Sequence, residues 1–144
     1  MREMARDILI NTAAFTAIIP TSRIHQLGGI TSPPDIAAGP WAGIRMMPLE
    51  RGLGPDIGVL KGSHRQEIVL WIYDEPRYYE RIDLAHKIAR AAFLAAAPRS
   101  KVIADTTTVW LTCVEWNGES EDNYDDQWRA STRSASFWFV GSGI

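Results

Sequence analysis

Gln66-Glu67-Ile68-Val69-Leu70-Trp71-Ile72-Tyr73-Asp74 is an alternating run that passes, within the two residues Glu75-Pro76, into a helical pattern reaching residue 94. Ile68, Leu70 and Ile72 share one face of the predicted strand, and Val69, Trp71 and Tyr73 share the other. A helix delivered so directly from a strand must fold back over its own sheet to hide its apolar stripe. Both strand faces are apolar, so the face without helices is expected to meet something else, such as a neighbouring subunit. The helix is expected over 76–96, with Pro76 early in its first turn, where a missing N–H costs nothing. Its core stripe is Tyr78, Ile82, Ala85, Ile88, Ala89, Ala92, Phe93 and Ala96, its solvated side is Arg77, Arg81, Lys87 and Arg90, and Pro98 stops it.

Residues 2–19 read as a helix interrupted at Asn11-Thr12, which caps a second short helix ended by Pro20. The segment 20–40 contains Gly28-Gly29, Pro33-Pro34 and Gly39-Pro40 and cannot hold regular structure for long. Trp41–Leu49 alternates as a strand, with Ala42, Ile44 and Met46 opposite Trp41, Gly43, Arg45 and Met47. Residues 50–64 form a glycine-punctuated connection carrying Leu53, Ile57 and Val59. A long strand is expected over 102–116, with Val109, Leu111 and Cys113 on one face and Trp110, Thr112, Val114 and Trp116 on the other. Asn117-Gly118 begins an acidic turn, and Trp128–Val140 returns as the hairpin partner. The expected class is α+β: an antiparallel or mixed sheet of four or more strands, two helices packed on one face, in the order α-β-β-α-β-β, as a single domain over 1–144.

The 144 residues are 46% hydrophobic and 22% charged, an ordinary balance for a chain that folds around one core. A net charge of -2 supplies no electrostatic footprint for wrapping nucleic acid. The lone Cys113 sits in a strand pattern as an unreactive thiol, and the chain reads as a soluble product of a reducing cytoplasm, with no membrane partner. Six tryptophans exceed what a small core absorbs. Trp41, Trp71, Trp110 and Trp128 are therefore expected as interface or core anchors.

No catalytic, cofactor or metal constellation emerges. Glu119, Glu121, Asp122, Asp125 and Asp126 lack the ligand spacing of a calcium loop and read as a solvated turn. His25, His64 and His86 form no zinc-binding pair, and His86 is expected partly exposed on its helix. No serine stands in a nucleophile elbow. Glu80 and Asp83 fall at ion-pair spacings from Arg77, Arg81 and Lys87. A small enzyme or ligand-binding domain stays as the alternative of a different class.

One family fits the pattern as a whole. The N-terminal helix ending at Ile18-Ile19-Pro20, then Ser22-Arg23-Ile24, Gly39-Pro40-Trp41, the block Glu67–Asp74 with Tyr79 and a helix through Phe93-Leu94, and Asp125-Asp126-Gln127-Trp128-Arg129 together resemble the tail-terminator, or tail-completion, proteins of long-tailed bacteriophages. The resemblance implies a virion protein made in the host cytoplasm. It implies a ring, usually of six copies, on the head-proximal end of the tail tube, joining tube protein to head-completion or neck protein. DNA would pass through its lumen without specific binding, with Glu119, Glu121, Asp122, Asp125 and Asp126 placed as lumen-facing residues. Trp41, Trp71, Trp110, Trp128, Leu53, Ile57 and Val59 would serve the side-to-side contact. Other ring proteins of neck and tube share these traits and remain alternatives.

Overall fold

The computed structural model describes residues 1–28, 30–47, 50–51, 64–102 and 108–142. Along the chain run α1 (Arg2–Ile10), α2 (Ala13–Thr16), β1 (Ile24–Gln26), β2 (Trp41–Met46), β3 (Glu50–Arg51), β4 (His64–Asp74), α3 (Tyr79–Ala95), β5 (Arg99–Val102), β6 (Thr108–Glu119), β7 (Asn123–Asp125) and β8 (Ala130–Ser142). The strands form one sheet in the order β1-β2-β4-β8-β6-β5, with β3 added to β4 and β7 to β8. β1 runs parallel to β2, and every other pairing is antiparallel, so the sheet is mixed. The α+β class holds, with more strands than the simple α-β-β-α-β-β order. β1, β3 and β7 are only two or three residues long, too short to leave a period-2 pattern.

α1, α2 and α3 each contribute to the core on one sheet face. Met4, Ala5, Ile8 and Leu9 of α1, Phe15 of α2 and Ile82, Ala85, Ala89 and Phe93 of α3 pack on Ile44, Ile68, Leu70, Ile72, Ala135, Phe137 and Phe139. Phe93 meets Phe137 and Phe139 edge-on at 4.9 and 5.3 Å, an arrangement that aligns ring edge with ring face. The break at Asn11-Thr12 serves the end of α1: Thr12 Oγ1 donates to Ile8 O and Asn11 Nδ2 to Asp7 O, leaving α2 without a side-chain cap. Those bonds satisfy carbonyls that a helix C-terminus otherwise orphans.

The turn from β4 into α3 is longer than expected. Glu75–Tyr78 forms it, Pro76 precedes the helix, and Tyr78 is exposed rather than part of the core stripe. Asp74, fully buried, accepts the Glu75 N–H and a two-pronged hydrogen bond from Arg81, so Arg81 ties the helix back to the strand. Arg77 adopts φ 77°, an uncommon conformation for a residue with a Cβ, and its N–H donates to Ser131 Oγ of β8.

The run expected as one strand over 102–116 is instead the β5–β6 pair, with 103–107 outside the described residues. The register slips between Leu111 and Cys113, which moves Val114 into the core and turns Cys113 to the other face, opposite Val140. A second slip at Trp116/Gly118 shows Asn117-Gly118 to be a bulge within β6 rather than a turn. Gly118 has φ +128° there, which glycine tolerates without strain. β8 begins at Ala130, because Trp128 and Arg129 belong to the preceding turn.

His86 is buried, not partly exposed, and its Nε2 lies 2.9 Å from Arg133 O. Asp83 pairs with Arg133 across to β8 instead of with a cation on its own helix.

Candidate interaction site

The face of the sheet opposite the helices carries Trp41, Gly43 and Arg45 of β2, aligned with Tyr73, Trp71 and Val69 of β4. The same rows continue into Thr132, Ser134 and Ser136 of β8. At the Trp41 end, the chain covers this face itself. Trp41 stacks on Tyr73 at 4.1 Å, and Trp128 lies against both rings at 4.9 and 5.2 Å. Leu27, Ile30, Ile36 and Trp71 pack around them.

Local chemistry holds the covering segment down. Arg23 donates to the carbonyls of Asp35, Gly39 and Pro40, pinning both ends of the Ile36–Ala38 turn. Gly43 leaves room beneath Leu27, whose side chain would meet a Cβ there at 2.5 Å. Trp128 is oriented by its own N–H, which donates to Asp125 Oδ1.

Beside this cluster the face stays open as a groove of about 700 Å³, lined by Leu27, Ile30, Arg45, Trp71, Tyr73 and Tyr124, among others. Its polar groups are largely committed. Asn123 Oδ1 accepts the Tyr124 N–H, Thr132 Oγ1 donates to Ile72 O, and Asp125 holds the Trp128 N–H. Burial and the neighbouring Asp125 carboxylate push the Tyr73 hydroxyl up to about 12, so it stays neutral. The groove thus offers ring surface and one exposed guanidinium, Arg45, with little free hydrogen-bonding capacity.

Further along the same face, the guanidinium of Arg65 lies over Trp138 at 3.8 Å, and Glu67 accepts from Ser136 and Asn117. Trp110, opposite Ser142, is 56% exposed. Trp116 is exposed on the helix side, with Arg90 over its ring at 3.7 Å.

The tryptophans singled out from the sequence therefore divide. Trp41 is buried within the chain, Trp71 and Trp128 are half-buried around the groove, and Trp110 projects into solvent. Leu53, Ile57 and Val59 lie outside the described residues. Of the acidic residues, Glu119 and Asp122 converge with Asp83 on Arg133, Asp125 caps the Trp128 turn, and Glu121 and Asp126 are exposed. Sequence reading missed Arg133 as the centre of that cluster, since its partners come from α3, β6 and the 120–122 segment. It also missed the groove, whose lining comes from four separate elements and loops.

Among the described residues no three or more His, Cys, Asp or Glu side chains gather as a metal site, and no helix is long and apolar enough to cross a membrane. No family model and no curated protein matches this chain. Among solved structures it is similar to a chain described as "Virion of native gene transfer agent (GTA) particle", with a TM-score of 0.66 at 12% identity, over 99% of this chain and 95% of that one. A second solved chain, at TM-score 0.44 and 14% identity, is too distant to bear on the argument. At such identities the likeness shows a shared fold.

Proposed function

We propose that this chain is a structural component of a phage-like virion, and that it acts as the tail terminator. Six copies close a ring on the head-proximal end of the tail tube, stop tube growth and present a surface to the neck. The observation that carries the reading is the end-to-end likeness to a chain of a gene transfer agent virion, which covers nearly the whole of both chains. The sequence resemblance to tail-terminator proteins supports it independently. So does the open aromatic groove on a sheet face without helices, the kind of surface that serves contact between subunits.

In this role the protein needs shape and no bond-making step. Capping a polymer requires two different axial faces and a lateral contact whose rotation closes. Of the acidic residues, the exposed Glu121 and Asp126 would face the lumen, where negative charge keeps passing DNA from adhering, while Glu119 and Asp122 are paired with Arg133 and Asp125 lines the groove.

Light scattering on the purified protein, negative-stain imaging, and incubation with purified tail tubes test the reading together. Rings found only at tube ends are the expected result. A strict monomer at high concentration that ignores tube ends refutes it, and self-assembly into long tubes reassigns the chain to the tube subunit.

A further inference from the structure

We infer that the groove beside Trp71 and Tyr73 receives Trp110 from a second copy of this chain, with Glu115 of that copy meeting Arg45. The inference deepens the assembly reading above by naming the contact it uses.

The groove's chemistry selects the occupant's class. Asn123 Oδ1, Asp125 Oδ1 and Thr132 Oγ1 are already bonded within the chain, so a sugar or nucleotide would find fewer partners there, whereas an aromatic side chain would cover exposed ring surface. Arg45 has no ion-pair partner among the described residues, and it is exposed at the groove rim. The occupant should therefore bring an aromatic ring and a carboxylate.

This chain carries that combination on the same sheet face. Trp110 is 56% exposed opposite Ser142, and Glu115, opposite Trp138, is exposed and likewise without an ion-pair partner among the described residues. Spacing matches as well as charge. From Ser142 to Trp138 is four residues of β8, about 13 Å of strand, and from Tyr73 in the groove to Val69, which pairs with Arg45, is four residues of β4, again about 13 Å. Both vectors run from an end of the sheet toward its middle. Trp110 and the groove lie at opposite ends of that sheet, since Gly141 and Thr132 pair with His64 and Tyr73 of β4. Nine residues of strand separate those rows, roughly 30 Å, so one copy cannot fill its own groove. Two copies offset along this face, the Trp110 end of one over the groove end of the next, bring ring over groove and carboxylate over guanidinium together and leave one knob and one groove free for further copies, as a head-to-tail contact requires.

The test uses two full-length variants, each defective on one side only. Trp110→Asp removes the knob, and Arg45→Glu with Tyr124→Asp blocks the groove; all three residues are exposed, so both proteins should fold, as circular dichroism would verify. The wild type is expected to associate in light scattering, each variant alone to weaken association at least tenfold, and their equimolar mixture to recover a complex through the one intact contact. The charge swap Arg45→Glu with Glu115→Arg should restore association that either reversal alone disrupts. Wild-type-like association of both folded variants overturns this contact while leaving a ring possible by another surface. A wild type that pairs only as a dimer keeps the contact and removes the ring, and a strictly monomeric wild type removes both.

Discussion

Replacing His86 by Leu should change how stability depends on pH, not only its level. The imidazole is 1% exposed on α3, and because Arg133 O can only accept, Nε2 must donate across the 2.9 Å between them. Nδ1 is then a buried lone pair with no hydrogen-bond partner among the described residues. Burial lowers the His86 pKa below 6.5, helped by the Arg133 guanidinium and opposed by the Arg133 carbonyl, Glu119 and Asp83. The unfolded chain therefore takes up the proton more readily than the folded one. Stability from the neutral imidazole is complete above pH 6.5 and is lost as pH falls from 6.5 toward the lower folded pKa. The slope cannot exceed about 1.4 kcal/mol per pH unit for a single group, so acidification from about pH 7.5 to about 5.5 removes at most about 1.4 kcal/mol through this residue. His86→Leu leaves the Arg133 carbonyl without its donor, a cost of about 1–3 kcal/mol at every pH. Urea unfolding of both proteins across that range should find the variant weaker at neutral pH and the gap narrowing on acidification, by no more than about 1.4 kcal/mol. Two parallel curves would refute a neutral, buried His86.

Three further outcomes follow from the packing. Phe137→Ala, on the central strand between Phe93 and the sheet, should cost about 3–5 kcal/mol in denaturant unfolding. Gly141→Ala should destabilise by several kcal/mol, on the order of the largest core losses, because its Cβ would come within 1.8 Å of the Trp110 carbonyl oxygen, a backbone atom that cannot step aside. A soluble variant of near-native stability would show that β6 and β8 can separate there. Cys113, half-buried, with burial and Glu115 raising its thiol pKa, should react with a thiol reagent near pH 8 several-fold more slowly in the native protein than in urea. Equal rates would mean that the thiol is open to solvent.

Periodicity alone settled the parts of this protein in which a long run must hide one face. The alternation over 66–74 and over 128–140 and the stripe Ile82, Ala85, Ala89, Phe93 repeat often enough to assign the elements and the buried side of the helix, but with both faces of 66–74 apolar they leave open which sheet face is core. Tertiary structure decided what depends on partners distant in sequence. Whether Trp41 was core or surface rested on Trp128 and Leu27 arriving from elsewhere to cover it. Cys113 and Val114 exchanged faces through a register slip that β8 imposes, and His86 was drawn inside by a carbonyl 47 residues away. The open groove is likewise a property of assembly: alternation shows that a side chain leaves the sheet, but only the fold determines whether another segment of the chain meets it there.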